Sequence, residues 1–124
     1  MAGKLNLKDL RAYKKAFILS NQVWSLVSKW DHFDKDTVGK QLVRSTDSIA
    51  ANIAEGYGRF GKKDKIRFYH FSLGSLYEVQ DWLDRAKIRG LIKIEEYDTL
   101  QEQLGDLPRE INYLIKLTRV NLRD

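Results

Sequence analysis

The stretch Ser48–Arg59, SIAANIAEGYGR, decides the fold of this chain. Its apolar residues Ile49 and Ile53 are four positions apart and therefore lie on one face of a helix. Alanines fill much of the remaining surface and let a neighbouring helix approach closely. Gly56 predicts the end of this helix, because glycine adopts the left-handed conformation without a Cβ penalty. The stretch therefore predicts a close-packed helix that ends in a glycine-rich turn.

On both sides of this stretch, apolar residues recur at helical spacing. They predict four helices, at about residues 8–30, 37–56, 62–90 and 94–122. The polar segment 31–36 is predicted as a loop, with Asp34 or Asp36 capping the second helix. No segment alternates as a strand does. Short connections favour antiparallel neighbours, so the sequence predicts one all-α domain, residues 1–124, folded as an antiparallel up-down four-helix bundle.

The third predicted helix carries two apolar stripes. One consists of Ile66, Tyr69, Leu73, Leu76 and Leu83, and the other of Phe68, Phe71, Val79, Trp82 and Ala86. A small bundle buries only one side of a helix, so the second stripe predicts contact with another subunit. In the fourth helix, Pro108 removes a backbone donor and predicts a kink near Leu104–Leu107. A full break is disfavoured, because the apolar stripe keeps its phase across the proline.

Composition narrows the function classes. The chain has 124 residues, 43% of them hydrophobic, and a formal net charge of +5. It has no cysteine, which excludes disulfides and cysteine-based metal or redox sites and favours a cytoplasmic location. No apolar run approaches the roughly 20 residues that a membrane-spanning helix needs. The mild basic excess points to anionic partners rather than to a particular fold.

A row of polar residues lies along one face of the second predicted helix, at spacings of three or four. The row consists of Gln41, Arg44, Ser48, Asn52 and Glu55. One interpretation, which we favour, is a buried hydrogen-bond network that sets helix register, with Ser75 and Glu78 of the third helix as partners. The alternative is that the row lines a site.

The segment Gly56–Lys63 contains G-x-G-x-x-G and comes close to a phosphate-binding loop. Both motifs require a preceding strand, whereas a helix is predicted here, so a helix-capping turn is the favoured interpretation. Metal catalysis is disfavoured, since neither His32 nor His70 belongs to a Glu-x-x-His pair. No Ser-His-Asp arrangement is indicated. The sequence therefore predicts no enzyme activity, no metal site and no cofactor.

Two motifs resemble a known family. They are QLVRS at 41–45, continued by Ser48-Ile49 and NIAEG at 52–56, and GSLYE at 74–78. Together they resemble the four-helix-bundle protein family encoded in intervening sequences of bacterial 23S rRNA genes, over about residues 8–120. The family is related to accessory proteins of diversity-generating retroelements, which are basic pentamers that bind nucleic acid and a reverse transcriptase. The resemblance implies a ring-like homopentamer and no established enzymatic activity.

Basic residues cluster in two places that are candidates for phosphate contact. The main candidates are Arg59, Lys62, Lys63, Lys65 and Arg67, and the supporting candidates are Lys8, Arg11 and Lys15. Repetition of each cluster around a ring would add many weak contacts with a steep salt dependence. Tyr57 and Phe60 either stack on unpaired bases or pack in the core or an interface, and packing is favoured. The predicted function is a non-enzymatic scaffold or accessory factor that binds RNA or DNA. The alternative is a module that binds a partner protein.

Overall fold

The structure, a computed structural model, describes residues 6–121. A 3-10 turn at Leu7–Asp9 leads into four long helices, and no strand occurs in this range. The helices are α1 (Arg11–Val27), α2 (Lys40–Gly58), α3 (Lys62–Ile88) and α4 (Ile94–Asn121). The predicted all-α class is confirmed, while the predicted end of the fourth helix at residue 122 lies outside the described residues. No helix between residues 6 and 121 is both long and apolar enough to cross a bilayer.

The segment between α1 and α2 is helical where the sequence predicted a loop. One α-helical turn at His32–Asp34 and a π-helical segment at Lys35–Gly39 lead directly into α2. The carboxylate of Asp31 caps the first turn by accepting a hydrogen bond from the backbone N–H of Asp34 at 3.0 Å. The prediction that Asp34 or Asp36 caps this helix is therefore wrong, because the cap lies further upstream.

Each long helix packs against two others: α2 lies between α1 and α3, and α4 contacts both α3 and α1. The four helices therefore surround one apolar core. Fully buried side chains in this core include Leu19, Leu42, Ile49, Ile53, Tyr69, Leu83, Leu107 and Ile111. Burial of each such side chain stabilises the fold by about 1.5–3 kcal/mol. Every one of the four helices therefore contributes side chains to this core.

Gly56 is a packing position inside α2, which continues to Gly58. Within residues 6–121, the only residue with positive φ is Gly90, in the connection between α3 and α4. The prediction of a left-handed cap at Gly56 is therefore wrong. A Cβ on Gly56 would lie 2.7 Å from Cε1 of Tyr69 and 2.9 Å from the carbonyl oxygen of Lys65. Glycine is needed here because α3 passes too close to α2 for any side chain.

The second apolar stripe of α3 is partly buried within the single chain. Val79 and Ala86 belong to the core, so the expectation that the whole stripe faces another subunit is wrong for these two residues. The large apolar side chains that α3 does expose are Phe71, Tyr77 and Ile88. The exposed apolar surface of α3 is therefore smaller than the spacing predicted, and it consists of different residues.

Pro108 lies within α4 and does not break it, since the helix runs from Ile94 to Asn121. Leu104, Leu107 and Ile111 are all buried, so the stripe keeps its phase across the proline. Pro108 itself is exposed, which places its ring on the solvent side. The carbonyl of Leu104 lacks the donor that a non-proline residue at 108 would supply. The kink near Leu104–Leu107 stays a prediction.

Candidate nucleic-acid interface

Five basic residues and one acidic residue lie in the connection between α2 and α3 and in the first turns of α3. They are Arg59, Lys62, Lys63, Asp64, Lys65 and Arg67. The glycine motif lies across the end of a helix rather than after a strand. Within residues 6–121, no three His, Asp or Glu side chains are grouped so that they could hold a metal ion. The chemistry available at this connection is therefore positive charge and aromatic surface.

Asp64 holds the two arginines of this cluster. Nη2 of Arg67 donates to Oδ1 of Asp64 at 2.7 Å, and Nη1 of Arg59 lies 3.5 Å from Oδ2. Nε of Arg59 also lies 3.0 Å from Oε2 of Glu55. Both guanidinium groups lie over the ring of Phe68, at 4.6 Å and 5.0 Å from its centroid. The arginines are thus held in position, and their charge is partly compensated.

Lys65 caps the end of α2 rather than facing solvent. Its Nζ donates to the carbonyl oxygen of Tyr57 at 2.6 Å and lies 3.5 Å from that of Gly56. Burial lowers the pKa of Lys65 below its usual value. Because its charge satisfies carbonyl groups at a helix C-terminus, Lys65 stabilises the turn that the sequence had assigned to Gly56 alone.

Lys62 and Lys63 differ from the other cations of the cluster. Within residues 6–121, neither ammonium group has an ion pair or a hydrogen bond; Lys63 is exposed and Lys62 is half-buried. The neighbouring carboxylate of Asp64 is already engaged by Arg59 and Arg67. Two uncompensated positive charges therefore begin α3 and lie next to the connection.

The supporting cluster at the start of α1 is largely neutralised. Nε of Arg11 lies 3.2 Å from Oε2 of Glu110, and Nζ of Lys15 lies 3.3 Å from the same oxygen and 3.7 Å from Oδ2 of Asp106. Burial alone would raise the pKa of Glu110, but hydrogen bonds and charge from Lys15 and Arg11 outweigh it and lower the pKa. Lys8 is exposed and has no ion pair among the described residues. Sequence spacing could not reveal pairs between α1 and α4.

The predicted polar row divides into two parts in the structure. Nδ2 of Asn52 donates to the carbonyl oxygen and to Oγ of Ser48, both at 2.9 Å. Oγ of Ser75 donates to Oγ of Ser48 at 3.0 Å and links α3 to α2. Glu55 instead pairs with Arg59 on the surface. The structure brings together Ser48, Asn52 and Ser75 and leaves Glu55 apart from them.

The remaining members of the row do not join this group. Arg44 and Glu78 are exposed and Gln41 is half-buried. Their side chains form no hydrogen bond with another residue between 6 and 121. Equal helical spacing placed the whole row on one face, but only Ser48 and Asn52 lie where α2 meets Ser75 of α3.

The sequence analysis missed a polar cluster between α3 and α4. The hydroxyl of Tyr97 donates to Oδ1 of Asp84 at 2.6 Å, and Nε2 of Gln80 donates to the same oxygen at 2.9 Å. Gln80 also donates to Oε1 of Gln101 at 2.7 Å. The hydrogen bond to Asp84, followed by burial, raises the pKa of Tyr97. The i,i+4 spacing of Gln80 and Asp84 was the only signal in the sequence.

Comparisons with known proteins identify a matching family and a similar fold. The family model described as 23S rRNA-intervening sequence protein matches residues 8–113. The fold is similar to the crystal structure of a protein of unknown function from the S23 ribosomal protein family of Bacteroides thetaiotaomicron, with a TM-score of 0.75 and 22% sequence identity. That similarity covers 85% of this chain and 98% of the other. No curated protein sequence matches the chain significantly.

Proposed function

We propose that this chain, which belongs to the 23S rRNA-intervening sequence protein family, is a non-enzymatic oligomeric bundle protein that binds structured RNA or another nucleic acid. The family match confirms the resemblance drawn from the motifs at 41–56 and 74–78. The family name links its members to ribosomal RNA, which makes RNA the first ligand to test. In this proposal the protein works in the cytoplasm as a scaffold or accessory factor.

One observation carries the proposal: the side chains of Lys62 and Lys63 have no counter-charge among the described residues. Arg11 and Lys15, by contrast, pair with Glu110, so less of their charge is available to a ligand. The free ammonium groups of these two consecutive residues instead concentrate positive charge at the start of α3, where it can attract phosphate. Lys62 and Lys63 are therefore the main phosphate contacts in this proposal.

The other basic candidates take graded roles. Arg59 and Arg67 are held by Asp64 with part of their donors outward, so they can add phosphate contacts without a further ordering cost. Lys8 is a supporting contact, and Arg11 and Lys15 contribute less, because Glu110 and Asp106 compensate them. Lys65 contributes mainly through the structure of the turn.

Assembly would multiply these contacts. The order of cross-helix contacts supports an up-down bundle: along α3, Gln80 and then Asp84 meet Gln101 and then Tyr97, which run in the opposite order along α4. We infer from the family a ring-like homopentamer, to which the exposed apolar side chains of α3 add support. A ring presents the free lysines once per subunit, so weak phosphate contacts act together.

Binding at two salt concentrations tests the proposal. Fluorescence anisotropy would follow a labelled stem-loop fragment of 23S rRNA and a duplex DNA of similar length at about 50 mM and about 200 mM salt. The wild type is expected to bind at low salt and to lose affinity at high salt. The double variant Lys62→Glu/Lys63→Glu is expected to bind at least about tenfold more weakly. Its log–log salt slope should be lower, per subunit, by about 1.4 for contacts to unpaired RNA and by about 1.8 for contacts to duplex DNA.

A matched control separates local charge from net charge. The variant Lys29→Glu/Lys40→Glu changes the net charge by the same amount at two exposed positions near the α1–α2 connection. It is expected to bind nearly as well as the wild type. Absence of wild-type binding at low salt, or equal losses in both double variants, contradicts the proposed site.

A protein-interaction module is the second candidate, and the outward side of α3 favours it. Tyr77 is 81% exposed and Ile88 is 86% exposed, so both can contact a partner without any change in the bundle. If they contact a partner protein, the double variant Tyr77→Glu/Ile88→Glu is expected to abolish that complex. If the wild type binds no nucleic acid, this second candidate becomes the preferred one.

A further inference from the structure

The connection between α2 and α3 places one aromatic ring entirely in solvent. Phe60 is 102% exposed, so its side chain contacts almost nothing else among residues 6–121. The sequence favoured packing of Phe60 in the core or in an interface, and packing in the core is wrong. An unpacked phenylalanine gains nothing for the fold, which leaves binding as the role that the exposed ring can serve.

The surroundings of Phe60 allow a flat ligand to approach. The flanking residues Gly58 and Gly61 have open space around them, since a Cβ at either position would meet no atom within 4 Å. Arg59, by contrast, is fixed over Phe68 and cannot cover the Phe60 ring without leaving that contact. The face of the Phe60 ring is therefore accessible.

Charge identifies the kind of ligand. The free ammonium groups of Lys62 and Lys63 follow Phe60 by two and three residues. Of the two arginines held by Asp64, Arg59 precedes Phe60 in the connection and Arg67 lies in the second turn of α3. An apolar peptide carries no negative charge to pair with these cations. A duplex carries phosphates, but its bases are stacked and cannot contact Phe60. An unpaired nucleotide offers both a negative phosphate and an exposed π face.

We propose that Phe60 stacks on an unpaired nucleobase while Lys62 and Lys63 contact the phosphates beside it. The ligand class is then a loop, bulge or single-stranded segment rather than a continuous duplex. This inference rests on the proposed nucleic-acid function and adds which part of the nucleic acid the site recognises. Stacking tolerates any base, so the site selects unpaired structure and not sequence.

The test compares two probes and two kinds of variant. The probes are a stem-loop RNA with an unpaired loop and a blunt RNA duplex with the same number of phosphates, and a single-stranded DNA distinguishes RNA from DNA as the source of the base. Phe60→Ala is expected to weaken stem-loop binding by about five- to 150-fold, the range that corresponds to loss of one base–aromatic stack. Duplex binding is expected to stay unchanged.

Conservative variants separate stacking from a merely apolar contact. Phe60→Trp keeps a stacking face and is expected to retain stem-loop binding, whereas Phe60→Leu keeps apolar bulk without a ring and is expected to lose it. Phe33→Ala, which removes another exposed aromatic ring in the connection between α1 and α2, is the control and is expected to bind both probes normally. Thermal unfolding of Phe60→Ala should match the wild type, because the ring packs on nothing.

Each other outcome overturns the inference in a distinct way. If Phe60→Ala binds both probes as the wild type does, while Lys62→Glu/Lys63→Glu fails to bind, the proposed function stands and the stacking role is wrong. If the wild type binds no probe, both are wrong. If Phe60→Ala changes the molecular mass in light scattering, Phe60 is a subunit contact and the stacking assignment is also wrong.

Discussion

At the scale of single residues, Gly56 makes the sharpest prediction about stability. A Cβ there would lie within 3.0 Å of both the Tyr69 ring and the Lys65 carbonyl oxygen. Tyr69 is fully buried and the carbonyl belongs to the backbone, so neither moves aside cheaply. Gly56→Ala is expected to lower the free energy of unfolding by about 1–3 kcal/mol, measured by urea denaturation.

Gly58, two residues further along the same helix, is the matched control. A Cβ at Gly58 would meet no atom within 4 Å, and its φ is not positive. Gly58→Ala is expected to raise the free energy of unfolding by about 0.4–1 kcal/mol, because alanine restricts the unfolded chain. If the two substitutions have equal effects, the close approach of α2 and α3 at Gly56 is wrong.

Glu110 predicts part of the acid sensitivity of the fold. Its pKa is lowered in the folded state from an ordinary value of 4.5, because Lys15 and Arg11 outweigh the effect of burial. The stabilisation is therefore fully present above the unfolded-state pKa and is lost as pH falls through the lower folded-state pKa. Glu110→Gln is expected to reduce the difference in unfolding free energy between neutral pH and pH values below that folded-state pKa.

Glu102→Gln provides the comparison for this titration. Glu102 is an exposed carboxylate on the same helix, with no ion pair among the described residues. Its removal is expected to leave the pH dependence of unfolding close to that of the wild type. An acid response of Glu110→Gln equal to that of Glu102→Gln would mean that Arg11 and Lys15 do not hold the Glu110 carboxylate.

At the scale of elements, Pro108 makes α4 less stable than the same helix would be with alanine at this position. Proline inside a helix costs about 3 kcal/mol relative to alanine, partly through the lost hydrogen bond. Because Pro108 is exposed, Pro108→Ala can restore the donor to the Leu104 carbonyl without altering the core. The free energy of unfolding is expected to rise by about 1–3 kcal/mol in chemical denaturation. A fall would mean that core packing requires the shape that proline imposes.

Near the end of α2, Lys65 has a structural role, whereas Lys63 has a proposed role in binding. Lys65→Met removes the hydrogen bond to the Tyr57 carbonyl and is expected to lower the unfolding free energy by about 1 kcal/mol. Lys63→Met is expected to change it by less than about 0.5 kcal/mol, since Lys63 is exposed. For stem-loop RNA affinity the order should reverse, with Lys63→Met the weaker binder. The same order in both measurements contradicts the division of roles.

The helices were predictable from the sequence, whereas several contacts between them were not. Apolar spacing was sufficient to predict four helices, because each stripe is a property of one helix. The cap at Asp31 and the close approach at Gly56 were not predictable, since each depends on where another turn or helix lies. The contact between Arg11 and Glu110 joins residues 99 positions apart, so local charge patterns gave no indication that this half of the basic surface is neutralised.

At the scale of the whole molecule, the proposed ring predicts the mass of the protein in solution. Light scattering is expected to give a mass of five times 14.5 kDa if the ring-like pentamer forms. Tyr77→Glu/Ile88→Glu is expected to reduce the mass, because charge would replace exposed apolar surface on α3. Ser28→Glu/Asn112→Glu adds negative charge at two exposed polar positions and should keep the wild-type mass. A monomeric wild type would contradict the ring.

The turn between α2 and α3 also bears on how such proteins diverge. The core lies in the four helices, whereas Phe60 and the two free lysines that follow it support almost none of it. Substitutions at these three positions therefore change ligand binding with little loss in the free energy of unfolding. During evolution, one ligand can then be replaced by another without an unstable intermediate sequence. Gly56 and Tyr69 lack that freedom. Among homologous chains, we expect the pair that joins the helices to persist while the exposed residues beside it drift.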